Sequence, residues 1–171
     1  MNTTKQYLDD IADQYHLSND SKDKFIEDIC QKHTFDWVFE QINEDSTVLE
    51  MGYGEGLFTG ELVKRGFKPT ILDGSEKLLN KAKSIYNNDI LTVHDLFETF
   101  KPEMQFDVVL CTHVLEHVDD PVSLLLQMRN WLSDKGVIII IVPNRESLHR
   151  KISVIMNLQD KLDSLSPRDV L

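Results

Sequence analysis

Apolar residues change their spacing once along this chain, near Thr47. Before that point they recur three and four positions apart. Tyr7, Leu8, Ile11 and Tyr15 fall on one helical face. Phe25, Ile26, Ile29 and His33 fall on another, behind a cap expected at Asp20 or Ser21. A third helical stretch is expected around Trp37, Val38 and Ile42, closed by the turn "NEDS". After Thr47, short apolar runs alternate with helical patterns. "TVLEM", "KPTILD", "ILTVH", "FDVVLCT" and "GVIIIIVP" read as strands, with helices at about 56–65, 75–86 and 120–133 between them. The last helix opens with "DDP", a cap followed by proline in the first turn. Alternating strands and helices predict an α/β domain built on a parallel sheet. The near-continuous apolar strands agree, because strands buried on both faces lose the period-two pattern.

Composition narrows this without changing it. The chain has 171 residues, within the length of one domain, and no repeat or internal linker divides it. A 41% hydrophobic content supports a core. The formal net charge of −11 argues against a nucleic-acid partner, which would normally meet a basic surface. Residues 1–45 hold eleven Asp/Glu against four Lys, which reads as a solvated helical face. Cys30 and Cys111 sit in no paired motif, so neither a disulfide framework nor a thiolate zinc site is implied. "MNTTKQYLDD" is no signal peptide, and "GVIIIIV" is too short to span a bilayer. The expectation is a cytoplasmic protein with no membrane partner.

Candidate chemistry begins at "VLEMGYGEG", where a strand runs into Gly52, Gly54 and Gly56 and then into a helix. Glycine permits backbone angles closed to other residues and lets a ligand lie against the main chain. The spacing is not the G-x-G-x-x-G of dinucleotide sites, since the third glycine comes one residue early; this disfavours a nicotinamide dehydrogenase. The turn carries Glu50 and Glu55 rather than lysine, which suits a cationic or hydroxyl-rich ligand better than a pyrophosphate. Asp73 in "ILDGS" stands at the next strand end, where such folds place a carboxylate on ribose hydroxyls. The alternative is that Asp73 only caps the helix near Ser75. Asp95, after the third strand, is an acceptor for an exocyclic amine. Together these describe a nucleoside site without phosphate.

Four ordered blocks carry a resemblance: "VLEMGYGEG", "ILDGS", "VHDLFE", and "FDVVLCTHVLEHVDDP" followed by "LSDKGVIIIIVPN". Over about residues 46–144 the chain resembles the class I S-adenosylmethionine-dependent methyltransferases that act on small molecules, sugars and quinone precursors. The resemblance implies a Rossmann-like, open, mostly parallel sheet with helices on both faces. Residues 1–45 would be a helical lead that closes over the cofactor, and 145–171 a helix and polar tail. S-adenosylmethionine is the implied cofactor, S-adenosylhomocysteine the product, and no metal is expected. Glu50 and the backbone of Gly52 and Gly54 would hold the methionine end. Tyr53 and Gly56 belong to the same turn, with Tyr53 standing where the family often has a small residue. Asp73 would hold the ribose, within a motif that includes Gly74 and Ser75. Asp95 and the Leu96 amide would read adenine. Thr112 and His113 would lie beside the methionine moiety.

Methyl transfer needs acceptor, methyl and sulfur in line, and often a base. Candidates are His113, Glu116, His117 and His149, with His117 the preferred catalytic base. His113 and His117 would share a face if that segment were helical. The cluster is not H-E-x-x-H, which argues against a metal. Arg145, His149, Arg150 and Lys151 form a candidate basic patch for an anionic acceptor. The expected reaction is methylation of an oxygen, less favourably a nitrogen, on a small-molecule acceptor. The alternative is a non-catalytic or truncated S-adenosylmethionine-binding module that acts with a partner. The family's last strands have no counterpart in the tail, so residues 136–142 should form a sheet edge. That edge would be covered by homo-oligomer formation or by the C-terminal helix.

Overall fold

The computed structural model describes residues 4–16, 22–144 and 146–157. The expected cap at Asp20 or Ser21, Arg145 and the tail from 158 onward lie outside the described residues. Helices α1 (Thr4–His16) and α2 (Lys22–Glu40) precede strand β1 (Val48–Met51). Then follow α3 (Leu57–Lys64), β2 (Thr70–Asp73), α4 (Glu76–Tyr86), β3 (Leu91–His94) and β4 (Phe106–Thr112). A short 3₁₀ turn (Leu115–His117) leads to α5 (Pro121–Arg129), β5 (Leu132–Ile141) and α6 (Leu148–Ile155).

All neighbouring strands pair in parallel, in the order β3-β2-β1-β4-β5. Strand order reverses between β1 and β4, so the crevice at their carboxyl ends is where such a sheet receives a ligand. The expected α/β class and helices on both faces are present. On one face, Leu49, Met51, Leu72, Val109 and Cys111 pack with Leu124 and Met128 of α5 and with Trp131. On the other, Val48, Val108, Leu110 and Ile139 pack under Phe35, Val38 and Phe39 of α2 and Phe58 and Leu62 of α3. Rings of Phe35 and Phe58 meet edge to face at 4.9 Å, which pins the helix following the glycine turn.

Three sequence expectations shift. The stretch around Trp37 is the end of α2, because no glycine or proline interrupts residues 33–40. Helix α5 stops at Arg129, short of 133, since Trp131 turns into the core. Strand β5 begins at Leu132, four residues before Gly136. The polar stretch "LSDKG", ahead of the expected strand, is absorbed in an irregularity where Phe106 pairs with Leu132 but Val108 pairs with Val137. A Cβ on Gly136 would meet the Phe106 carbonyl oxygen at 2.8 Å, so only glycine fits this approach. Strand β5 does lie at the sheet edge, and among the described residues no strand follows it. Helix α6 leaves Ile152, Ile155 and Met156 exposed rather than burying them on that edge.

Candidate active site

The glycine turn uses left-handed backbone at all three positions, with φ of 76° at Gly52, 52° at Gly54 and 78° at Gly56. The Gly52 amide still donates to the Leu72 carbonyl (2.8 Å), so the turn starts as the sheet ends. A Cβ on Gly56 would lie 2.6 Å from the Tyr53 hydroxyl, whereas nothing stands within 4 Å of one on Gly54. Gly56 therefore serves packing, and Gly54 leaves open space for a ligand. Tyr53, expected among the cofactor contacts, sends its ring into the core beside Ile71 and Leu79. Burial, then Tyr86 and Glu50, push its hydroxyl up to about 12. Its contribution to the turn is the backbone amide.

That amide donates to Asp73 Oδ2 (2.8 Å), and the Ser75 amide donates to Asp73 Oδ1 (2.7 Å). Asp73 thus ties the first two strand ends together, and each oxygen keeps acceptor capacity for a hydroxyl. Burial raises its pKa against these two bonds. Ser75 caps α4, accepting from the Leu78 amide (3.3 Å) and donating to Asp9 Oδ1 (2.6 Å). Glu50 lies fully buried beneath α3, where Thr59 Oγ1 donates to it (2.8 Å). Burial pushes it up to about 8, the Thr59 bonds working against the shift and the Asp73 charge adding to it.

Helix α1 roofs this region, through residues that the spacing of apolar positions did not single out, Leu8 excepted. Lys5 Nζ donates to the His94 carbonyl (3.0 Å) and stands 3.6 Å from Asp95 Oδ1. Asp95 also accepts from the Leu96 amide and from Thr99 Oγ1, each at 2.9 Å. Burial works to raise Asp95, but Thr99, Leu96 and Lys5 together hold it below the usual carboxylate range. A Cβ on Gly74 would collide with Leu8, so glycine here lets α1 approach.

Thr112 ends β4 opposite Ile141, and the His113 amide donates to the Ile141 carbonyl (2.8 Å). His113 has a left-handed φ of 54°, uncommon outside glycine. Val114 then lies over Gly52, 3.5 Å from where a Cβ would be. The segment that follows, Leu115–His117, is a 3₁₀ turn rather than an α-helix, and His113 precedes it in the left-handed bend. His113 consequently meets Glu116, with Nδ1 3.4 Å from Oε1, and not His117. The Glu116 Oε2 atom is buried without a hydrogen-bond partner among the described residues. Also among the described residues, no group of three His, Cys, Asp or Glu side chains is arranged to hold a metal ion. In the expected basic patch, Lys151 pairs with Glu146 at 3.0 Å, while Arg145 and the side chains of His149 and Arg150 lie outside the described residues.

The sequence profile of a methyltransferase domain family matches residues 23–166. A ubiquinone biosynthesis O-methyltransferase of Rickettsia bellii is 30% identical over 104 residues, 59% of this chain and 43% of that protein. The mitochondrial ubiquinone biosynthesis O-methyltransferase of Schizosaccharomyces pombe is 24% identical over 147 residues, 81% of this chain and 50% of that protein. The chain spans about half the length of the curated relatives it matches. Among solved structures, the plantazolicin methyltransferase BpumL, in complex with a pentazolic desmethylPZN analog and S-adenosylhomocysteine, is similar with a TM-score of 0.60. It is 18% identical, covering 97% of this chain and 60% of that one. A DhpI complex is similar with a TM-score of 0.62 at 19% identity, covering 96% and 76%. These two likenesses show the fold.

Proposed function

The chain belongs to the methyltransferase domain family, and from that premise we propose that it transfers the methyl group of S-adenosylmethionine to an oxygen of a small metabolite. The observation that carries this reading is Asp73, buried at the carboxyl end of β2 and oriented by two backbone amides. Its two oxygens suit a pair of vicinal ribose hydroxyls, and the open side of Gly54 suits a ligand laid along the backbone. Asp95 and the Leu96 amide offer an acceptor and a donor for adenine, once Lys5 yields. Glu50 and the main chain at Gly52 and Gly54 would hold the methionine end, with Thr112 and His113 beside it. The cofactor supplies an electrophilic methyl group on a sulfonium, and this acid-lined, phosphate-free turn attracts such a cation.

Oxygen is favoured over nitrogen because the named curated relatives are ubiquinone biosynthesis O-methyltransferases. A quinone-precursor hydroxyl is therefore the acceptor class to try first, ahead of sugars, anionic acceptors and amines. No described helix is long and apolar enough to cross a membrane, and we propose a cytoplasmic setting. Neither a nucleic-acid nor a membrane partner is invoked.

A second reading has its own support: the β5 sheet edge fits a cofactor-binding module that acts with a partner, a second copy of this chain in the first instance. Calorimetry with S-adenosylhomocysteine followed by acceptor-dependent methyl transfer separates the two. Micromolar binding with turnover supports the enzyme, binding without turnover on any acceptor supports the module, and no binding overturns both.

A further inference from the structure

Given methyl transfer at this site, on which the inference rests, we propose that His113 takes the acceptor's proton and that Glu116 is the positioning residue that sets its tautomer. The assignment starts from the 3₁₀ turn after β4. The left-handed bend at His113 and the turn that follows it bring Glu116, rather than His117, to the His113 ring, Oε1 to Nδ1 at 3.4 Å. A left-handed residue other than glycine is strained and persists where its surroundings hold it. Here the His113 amide is tied to Ile141 while Val114 is seated against Gly52.

Glu116 is the more telling partner. Its side chain is 17% exposed, against 36% for His113, and its Oε2 has no hydrogen-bond partner among the described residues. A carboxylate buried this way is costly unless a positive charge stands beside it. His113 supplies that charge only when its ring is protonated. With Nδ1 turned to Glu116, the neutral ring carries its proton there and presents Nε2 as the base. Cys111 cannot compete for the proton's role, since burial and then the Glu116 charge push its thiol up to about 12. The His117 side chain forms no hydrogen bond or ion pair among the described residues that would orient it likewise.

The step balances. As the acceptor oxygen forms its bond to the methyl carbon, its proton passes to His113 Nε2. The carbon–sulfur bond breaks and its electron pair stays on sulfur, leaving a neutral thioether. One positive charge disappears at sulfur and one appears on the imidazolium, directly against Glu116. The carboxylate is thus better paired after transfer than before, which favours the direction of reaction.

Nitrogen NMR of the histidine rings reads the tautomer without needing the natural acceptor. The full chain is saturated with S-adenosylhomocysteine at about pH 8.5, where an ordinary imidazole is neutral. The His113 ring, assigned by its loss in His113→Gln, should be the Nδ1–H tautomer. Glu116→Leu, which keeps volume but removes both acceptors, should convert it to Nε2–H. Glu116→Asp should restore Nδ1–H at least in part, and His117→Gln should leave it in place. With catechol as probe acceptor, His113→Ala should lower kcat on the order of a hundredfold while KM for S-adenosylmethionine changes less than about twofold. An Nε2–H ring in the native chain, or one indifferent to Glu116, overturns the inference even when S-adenosylhomocysteine binds. Failure of S-adenosylhomocysteine to bind overturns the methyl-transfer reading instead.

Discussion

The carboxyl ends of β1, β2 and β3 and those of β4 and β5 form two halves of one crevice, and they are built differently. In the first half every acid has its partners: Asp73 has two amides, Asp95 has Leu96, Thr99 and Lys5, and Glu50 has Thr59. In the second half Glu116 keeps an unsatisfied buried oxygen. Val137, Ile140 and Val142 stand exposed along the edge strand. On the proposed function, the half that would fit one invariant nucleoside is satisfied in advance by its own backbone. The half that would meet the acceptor and pass through a change of charge is left with interactions to complete.

Changes in the first half should therefore cost the most. Gly56→Ala combines a left-handed φ with a Cβ 2.6 Å from the Tyr53 hydroxyl. It should destabilise the fold by about 2–4 kcal/mol, read as a lowered denaturant midpoint. Gly54→Ala has the strain without the collision, and an equal loss there would break the distinction between the two glycines. Asp73→Ala removes a charge-assisted acceptor, worth about 1.5–3 kcal/mol. It should weaken S-adenosylhomocysteine roughly tenfold or more in calorimetry, and an unchanged Kd would remove the ribose assignment.

Glu50 sharpens the comparison through pH. Its folded pKa of about 8 is raised above the ordinary 4.5 by burial, so the fold favours the protonated form. The stability this contributes is fully present below about pH 4.5 and is lost as pH rises through about 8. Glu50→Gln should flatten that decline in a thermal-unfolding series. A bound cation works in the opposite sense: preference for S-adenosylmethionine over S-adenosylhomocysteine should grow a few-fold as pH approaches 8 in the native chain. In Glu50→Gln that preference should stay flat.

The smallest effect on stability is expected at the far edge. Ile140 is 37% exposed, so Ile140→Lys should change stability by under about 1 kcal/mol. If copies of the chain pair through β5, sedimentation should show the native chain heavier than a monomer and the variant returned to one. A native monomer would leave the edge without that partner.

The sequence was most informative where backbone does the work. Five strands, the glycine turn and the acid at each of the first three strand ends follow from local patterns, because apolar runs and glycines act within a few residues. The partners of those acids were hidden. Thr59 reaches Glu50 across the turn, and Lys5 and Asp9 reach Asp95 and Ser75 across most of the domain, with no periodicity to announce either contact. Tyr53 stands within the ligand motif yet belongs to the core, a fact decided by the space under Gly56. The pairing of His113 with Glu116 depended on a left-handed bend at His113 before the short turn, which a non-glycine residue does not announce. Likewise, "LSDKG" has the chemistry of a turn, and only its fit against Phe106 makes it strand.

The roof formed by α1 makes time, as well as affinity, a property of the site. At the proposed site, a nucleoside reaching Asp95 would have to displace the Lys5 ammonium, and one leaving would pass the seam where Asp9 grips Ser75 and Leu8 lies on Gly74. On that proposal, how tightly the ligand is held would be governed at the strand ends, and how long each visit lasts by residues 5–9 of α1. Because the Lys5–Asp95 contact is about one-third exposed on either side, added salt loosens it. On the proposed function, exchange of product for fresh cofactor would thereby become sensitive to ionic strength at a point that touches no reacting atom.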